Sequence, residues 1–150
     1  MQRLFLFAIA SVVSLMAMAA TESITSPDGR IAVTFSNNNN APAYSVSVDG
    51  VALISDSKLG VVTSNWVCPT DAKMKIKRSS ANKTWQQPWG ENKICRNHYN
   101  EMTVSFARGA FAVRFRVFDD GIGFRYELNA PVDTLVVTDE LTEFDFAVNG

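Results

Sequence analysis

The sequence predicts an all-β protein, arranged as an antiparallel β-sheet or β-sandwich. Its dominant pattern is the alternation of apolar and polar residues, which is typical of strands with one buried and one solvated face. Turn residues such as Asp49-Gly50 and Asp119-Asp120-Gly121 separate the alternating runs. After residue 19, no segment has the 3.6-residue apolar spacing of an amphipathic helix.

The first 19 residues have the layout of a secretory signal peptide. Arg3 supplies a positive charge, residues 4–16 form an apolar stretch, and a small-x-small cleavage motif ends at Ala19. The apolar stretch is shorter than the roughly 20 residues of a membrane-spanning helix. We therefore expect one mature domain, residues 20–150, exported to the periplasm or secreted by a bacterium, with no membrane span. An uncleaved anchor is the alternative.

The charge balance argues against a nucleic-acid partner. The chain has 14 Lys and Arg against 15 Asp and Glu, and signal cleavage would remove Arg3 and no acidic residue. Phosphate backbones require a stripe of basic residues on a basic domain. A slightly acidic mature domain does not meet that requirement.

The first half of the domain predicts strands joined by polar turns. The runs IAVTF from residue 31 and YSVSV from residue 44 alternate strictly. Between them, residues 37–42 (NNNNAP) predict a surface turn, because Asn tolerates left-handed backbone angles. Asp49-Gly50 predicts a hairpin into a strand that contains Val51 and Leu53.

The basic run KMKIKR, residues 73–78, predicts a strand with one wet face. Met74 and Ile76 alternate with three lysines and would be buried on the opposite face. We favour a wetted strand face over a binding patch, because charged residues that alternate with apolar residues are usually solvated.

Residues 111–128 predict a hairpin at the centre of the core. Its apolar residues share one face on both sides of the turn at 118–121, and each contributes about 1.5–3 kcal/mol when fully buried: Phe111, Val113, Phe115, Val117, Ile122, Phe124, Tyr126 and Leu128. The opposite face offers Arg114 and Arg116 as cross-strand partners of Glu127.

Residues 135–137 predict a further strand. Phe144, Phe146 and Val148 begin an alternating run that stops at Asn149-Gly150, so we expect the sandwich to be incomplete at its C-terminus.

Two acidic groups are candidates for chemistry. Asp119-Asp120 could bind Ca²⁺, but a competent site takes about six to eight oxygen ligands, and we favour a turn. A second group, Asp139, Glu140 and Glu143, suggests the paired carboxylates of glycoside hydrolysis. We favour a solvated face for it.

Residues 84–101, TWQQPWGENKICRNHYNE, form the least repetitive stretch of the chain. Trp85 and Trp89, beside Glu91 and Arg96, could line a carbohydrate cleft or a domain seam, since indole faces stack on sugars. They could equally be core plugs near a loop. For His98 we favour a structural hydrogen-bonding role over a catalytic base.

Cys68 and Cys95 are the two cysteines of the chain. Export would permit a disulfide between them, and two separate buried thiols are the alternative. A zinc site is not expected, because there is no CxxC motif and the single histidine is distant from Cys68.

Several motifs together resemble the N-terminal domain of glycoside hydrolase family 97. In chain order they are SPDGRIAVTF, TWQQPWGE, RNHYNE, FRVFDDGIGFRYE and DELTEF, and the resemblance extends from about Ile24 to Phe146. The family includes the α-glucosidases of starch-utilisation systems and some α-galactosidases. The resemblance implies a galactose-mutarotase-like β-supersandwich that packs against a catalytic (β/α)₈ barrel, and α-linked oligosaccharide as substrate.

In that family the catalytic carboxylates and most calcium ligands belong to the barrel, so we carry over no catalytic and no metal-binding residue. Calcium is expected in the full-length enzyme, with its one N-terminal-domain ligand beyond residue 150. The resemblance implies that Trp89, Glu91, Arg96 and His98 shape the seam with the barrel or the edge of the sugar pocket. The cysteine at position 95 is not part of the pattern.

The expected function is therefore that of a non-catalytic front part of a secreted, calcium-dependent α-glycosidase, separated from its barrel by truncation, a frameshift or an incomplete gene. A stand-alone carbohydrate-binding β-sandwich, with Trp85 and Trp89 stacking on glycan, is one alternative. A truncated product without function, whose unpaired strand edge would aggregate, is another.

Overall fold

The computed structural model describes residues 20–38, 41–65, 67–68, 73–106, 110–129 and 133–147. The predicted signal peptide, residues 1–19, and the final residues 148–150 lie outside this part. The described residues form antiparallel strands with these bounds: β1 (Ala20–Thr25), β2 (Ile31–Asn38), β3 (Ala41–Val48), β4 (Val51–Lys58), β5 (Val61–Thr63), β6 (Val67–Cys68), β7 (Met74–Gln86), β8 (Ile94–Phe106), β9 (Phe111–Phe118), β10 (Ile122–Leu128) and β11 (Val137–Glu140).

These strands form three sheets. The first sheet has the order β1-β2-β3-β4, the second β10-β9-β8-β7, and the third β11-β5-β6. Every pairing is antiparallel, so the predicted all-β antiparallel class is confirmed. Within the described ranges, no helix has the length and apolarity needed to cross a membrane.

The first sheet forms where the sequence alternates. Ile31, Val33 and Phe35 of β2 are buried, and the residues between them are partly exposed. The predicted turn at Asp49-Gly50 joins β3 to β4, with positive φ angles of 51° and 81° at its two residues. Such angles are the signature of a tight hairpin turn whose twist matches that of the flanking strands.

The predicted hairpin at 111–128 is confirmed as β9 and β10, with Phe111 opposite Leu128 and Val117 opposite Ile122. Its polar face differs in one respect from the prediction. Arg114 donates to Glu127 at 3.0 Å as expected, but Arg116 donates to Glu101 of β8 at 2.7 Å instead. The sequence does not reveal that β8 lies against β9 in this register.

Aromatic side chains fill the space between the first and second sheets. The rings of Phe35 and Tyr44 in the first sheet contact the ring of Phe115 in the second sheet, with centroid distances of 6.3 and 6.2 Å. All three are fully buried. Aromatic pairs at this separation add roughly 0.5–1.5 kcal/mol to the free energy of burial. The two sheets therefore share one core.

The last described segment continues from the third sheet to the first. The predicted strand at 135–137 is displaced, because β11 begins at Val137 and pairs with β5. Residues 141–147 then follow the free edge of β4, where the Ser55 N–H donates to the Asp145 carbonyl at 2.8 Å and Ile54 forms a bridge with Phe146. The edge of β4 is thereby paired, which removes a site of aggregation.

Candidate functional site

The stretch at 84–101 belongs to a long hairpin rather than to a loop. β7 and β8 pair over 13 residues, from Met74 opposite Phe106 to Gln86 opposite Ile94. Residues 87–93 connect the two strands and are held by a hydrogen bond from the Gln87 N–H to the Lys93 carbonyl at 3.2 Å. Gly90 has a φ of 128°, a conformation that side chains with a Cβ rarely adopt. We call residues 84–96 the hairpin tip.

Strand pairing divides the predicted site residues between the two faces of the hairpin. Arg96 and His98 are on the same side of β8 as the buried Met102 and Val104, because alternate residues share a face. Trp85 lies opposite Cys95 on the other side, the outer face. The structure therefore does not bring Trp85 together with Arg96 and His98.

Both indoles of the hairpin tip are in solvent. Trp85 is 50% exposed and Trp89, in the connecting loop, is 86% exposed. Glu91 is also exposed and forms no ion pair with any residue in the described ranges. The interpretation of the tryptophans as core plugs is wrong. An exposed tryptophan pair at the end of a long hairpin is available to a ligand or to another domain.

Arg96 and His98 are engaged in local hydrogen bonds. The Arg96 Nε donates to Asn82 Oδ1 across the hairpin at 3.2 Å. The His98 Nδ1 lies 3.3 Å from Asp119 Oδ2, and Asp119 Oδ1 accepts the Asp28 N–H at 2.9 Å. His98 and Asp119 thus connect the second sheet to the turn before β2. This geometry agrees with a structural role for His98.

Glu101 is the centre of a charged cluster that sequence reasoning missed. Its side chain is 9% exposed, and its two oxygens accept hydrogen bonds from Arg114 at 3.0 Å and Arg116 at 2.7 Å. Burial opposes ionisation of Glu101, but bonds from Arg116 and Ser79 and the neighbouring positive charges outweigh it, so the pKa of Glu101 is lowered. The sequence does contain opposite charges at alternating positions. Which of them form pairs depends on the register between the strands, which the sequence does not give.

Arg116 also contacts an aromatic ring on this face. Its guanidinium carbon lies 4.5 Å from the centroid of the Tyr99 ring, which is a favourable cation–π distance. Arg125 donates to Glu127 at 2.8 Å. The Glu127 pKa is lowered chiefly by the hydrogen bond from Arg114. The cluster is therefore ionised at neutral pH and fixes the outer face of the second sheet.

Among the acidic candidates, Glu143 and Asp119 are engaged in local ion pairs and hydrogen bonds. Glu143 forms an ion pair with Lys58 at 2.8 Å, and the hydrogen bond from Lys58 lowers the Glu143 pKa. Asp119 is occupied by its contacts with Asp28 and His98. Among the described residues, no three His, Cys, Asp or Glu side chains converge as metal ligands do.

The sequence leaves a Cys68–Cys95 disulfide and two separate buried thiols as alternatives, and the structure describes the side chain of Cys95. Cys95 is a free, half-buried cysteine whose Sγ lies 3.9 Å from the Asn92 carbonyl oxygen. Cys68 belongs to β6 in the third sheet, and its side chain lies outside the described part of the structure.

Comparison with known proteins identifies similar sequences and structures among glycoside hydrolases. The family model of the glycosyl-hydrolase 97 N-terminal domain matches residues 24–150. A retaining α-galactosidase of Bacteroides thetaiotaomicron is 26% identical over 144 residues, which are 93% of this chain and 21% of that protein.

Solved structures agree with this match. A glycoside hydrolase family 97 enzyme from Pseudoalteromonas sp. strain K8, in complex with acarbose, has a TM-score of 0.74 and 36% identity over 84% of this chain and 20% of its own. The same enzyme has been solved as a variant in complex with panose. A β-arabinopyranosidase has a TM-score of 0.73 and 26% identity over 83% of this chain and 21% of its own.

The chain thus spans about a fifth of the length of these relatives. The match covers the two packed sheets, the long β7–β8 hairpin and the Glu101 cluster. From this match, the chain belongs to the family of glycosyl-hydrolase 97 N-terminal domains.

Proposed function

We propose that this chain is the N-terminal domain of an exported, calcium-dependent α-glycosidase and is not catalytic by itself. In this role it supports a catalytic barrel and helps to bind α-linked oligosaccharide. The observation that carries the proposal is the exposed hairpin tip, with Trp85 at 50% and Trp89 at 86% exposure, in a domain of a glycoside hydrolase family.

Exposure of such large aromatic surfaces calls for a partner. An indole buries roughly 150–250 Å² when it is covered, and contiguous exposed apolar groups commonly mark interaction sites. Ile94, directly across from Gln86 at the tip, adds further apolar surface at 62% exposure. Glu91, exposed in the same loop as Trp89, supplies a charged group at the rim of this surface, as is usual for interfaces.

The chemistry of the carboxylates supports the proposal that this domain is not catalytic. A general acid in glycoside hydrolysis has a raised pKa, whereas the pKa of Glu143 is lowered by Lys58. Glu140 accepts a hydrogen bond from the Thr142 hydroxyl at 2.6 Å. These side chains are suited to fixing the segment after β11, which supports the proposal that bond cleavage belongs to a barrel.

Calcium does not fit the described residues. Calcium takes about six to eight oxygen ligands, and the carboxylate of Asp119 is already bound to the Asp28 N–H and to His98. We therefore place the calcium ligands of the full-length enzyme outside the described residues.

A stand-alone carbohydrate-binding module is the second candidate, and the same exposed indoles favour it. Titration of purified residues 20–150 with panose and with acarbose separates the two roles. Saturable binding that W89A abolishes identifies a stand-alone module. Absence of binding to the folded domain supports a seam that is completed by the barrel. Hydrolysis of an aryl α-glucoside by this domain alone would contradict both.

A chimeric enzyme tests the supporting role directly. Residues 24–150 replace the matching segment of the Pseudoalteromonas enzyme, which is 36% identical. The chimera is expected to hydrolyse its substrate, and the double variant Trp85→Ala/Trp89→Ala to lower kcat/KM about tenfold, because buried tryptophans carry much of an interface.

The matched control for the chimera is Val51→Ala, which removes exposed apolar surface (68% exposed) from the first sheet. It is expected to leave kcat/KM unchanged. Equal activities of the tryptophan double variant and the unsubstituted chimera would show that the hairpin tip faces neither barrel nor substrate.

A further inference from the structure

The outer face of the second sheet is strongly basic, although the chain as a whole has a formal net charge of −1. Strand pairing places six basic and two acidic side chains on this face. The acidic residues are Glu101 and Glu127. The basic residues are Lys75, Lys77, Lys83, Arg114, Arg116 and Arg125.

The two carboxylates form ion pairs with the three arginines, whereas the lysines have no acidic partner among the described residues of this face. Glu101 binds Arg114 and Arg116, and Glu127 binds Arg114 and Arg125. Lys75, Lys77 and Lys83 form no ion pair with any residue in the ranges that the structure describes. The ammonium groups of β7 therefore carry an uncompensated positive charge at the edge of the sheet.

These lysines border a groove rather than a flat surface. The groove has a volume of about 680 Å³, and its lining includes Lys75, Lys77 and Arg114, together with the hydroxyls of Ser79, Thr103 and Ser105. Alternate residues on a strand are about 6.4–6.8 Å apart. Glu101 and Glu127 also line the groove, but both are engaged by arginines. The groove thus offers the uncompensated ammonium groups of β7 on one side and the hydroxyls of Thr103 and Ser105 across its width.

The same face continues along β7 to an aromatic residue. Lys83 and Trp85 follow Lys77 and Ser79 on the outer face, with Trp85 opposite Cys95. Lys75 and Trp85 are ten residues apart, or roughly 33 Å along the strand. The half-exposed indole of Trp85 provides a stacking surface at the far end of this basic track.

We propose that the outer face of the second sheet binds an acidic polysaccharide, a sugar chain that carries carboxylate or sulfate groups. The lysines attract its charges, the hydroxyls of the groove bond its hydroxyl groups, and Trp85 stacks on a sugar ring. An acidic peptide would satisfy the lysines but has no use for the stacking surface. The sequence KMKIKR suggested a simple wetted strand face. The structure adds that this strand, β7, lies beside β8, which carries Glu101 and its arginine partners. This site adjoins the proposed barrel seam, because Trp85 belongs to both, but its lysine groove does not depend on the proposed glycosidase role.

Binding of residues 20–150 is measured by calorimetry with four polymers: dextran sulfate, polygalacturonate, neutral dextran and polyglutamate. Dextran sulfate or polygalacturonate is expected to bind at least about tenfold more tightly than the other two, which corresponds to about 1.4 kcal/mol. The first two polymers distinguish sulfate from carboxylate as the source of charge. Raising the ionic strength from about 0.1 M to about 1 M is expected to abolish binding, because the screening length falls from about 10 Å to about 3 Å.

Two pairs of variants locate the site. Lys75→Gln/Lys77→Gln is expected to weaken binding at least about tenfold. The charge-matched control Arg30→Gln/Lys58→Gln, at strand ends of the first sheet, is expected to retain it. Trp85→Ala is expected to weaken binding and Trp89→Ala, in the loop, to leave it unchanged. Circular dichroism verifies that each variant is folded.

Three outcomes would overturn the proposal. Equal affinity for polyglutamate and the acidic polysaccharides would indicate an acidic protein partner. The other two are no binding to either acidic polysaccharide and equal losses of affinity in the two double variants. None of these outcomes bears on the chimeric enzyme. Conversely, an inactive chimera leaves polysaccharide binding by the outer face intact, so failures of the two proposals are distinguishable.

Discussion

Glu101 illustrates how a single carboxylate organises a sheet face. A nearly buried charge is costly unless it is paired and hydrogen-bonded, and Glu101 meets both conditions through Arg114, Arg116 and the Ser79 hydroxyl. Because two arginines depend on one carboxylate, removal of its charge leaves both of them less compensated. The consequence should be visible in stability and in its pH dependence.

Glu101→Gln is expected to lower the free energy of unfolding by about 1–3 kcal/mol at pH 7. Since the folded-state pKa of Glu101 lies below its ordinary value of 4.5, this contribution is present above pH 4.5 and is lost as the pH falls through the folded-state pKa. Urea unfolding of both proteins between pH 3 and pH 7 should show the difference narrowing with acidification.

The control for that measurement is Glu91→Gln in the exposed hairpin loop, which is expected to change the free energy of unfolding by less than about 0.5 kcal/mol. A difference between wild type and Glu101→Gln that stays constant down to pH 3 would mean that the carboxylate contributes nothing through its charge.

The elements of this fold differ in how well the sequence predicts them. The β9–β10 hairpin, its turn and its apolar face were predicted, because eight large apolar residues alternate on both sides of one turn. The tip of β7–β8 was not, because residues 84–96 have no apolar alternation, and both faces there lie beyond the core. Pairing with a long neighbouring strand stabilises this tip as β-structure, and that pairing is a tertiary property.

The same limit explains the scattered candidate site. Proximity in sequence suggested that Trp85, Arg96 and His98 act together. A strand places successive side chains on opposite faces, and only the register of β7 against β8 shows which of them share one. The Glu101 cluster was missed for the opposite reason, because its members are distant in sequence but adjacent in the sheet.

Turn geometry gives a prediction at the scale of one hairpin. Gly50→Ala is expected to lower the free energy of unfolding by about 1–2 kcal/mol, because Gly50 has a φ of 81° and side chains disfavour this conformation. Gly121→Ala, in the β9–β10 turn, is the control, because its Cβ would meet nothing within 4 Å and its φ is not positive. Thermal unfolding of the two variants compares them, and equal losses of stability would exclude backbone strain at Gly50 as the cause.

At the scale of the whole molecule, Tyr44 connects the parts that sequence order separates. It is fully buried in the first sheet, and its ring lies 5.3 Å from Phe124 of the second sheet and 6.3 Å from Phe144 of the last segment. Its hydroxyl donates to the Glu143 carbonyl at 3.0 Å. The two sheets and the segment after β11 therefore meet at one phenol, and ionisation of that phenol must disturb all three.

Alkaline unfolding is expected to report this junction. Burial, with a smaller contribution from Tyr126, raises the pKa of Tyr44 from 10.0 to about 12 in the folded protein. The unfolded chain releases this proton first, so stability is retained below pH 10 and declines as the pH rises from 10 towards 12.

Tyr44→Phe removes this titration at the cost of one hydrogen bond, about 1 kcal/mol at neutral pH. Because the two proteins differ only at this phenol, the variant should lose less stability than wild type between pH 9 and pH 12, as measured by urea unfolding. Parallel curves for the two proteins would show that Tyr44 ionises without separating the sheets, and the junction would then have to be held by the aromatic contacts alone.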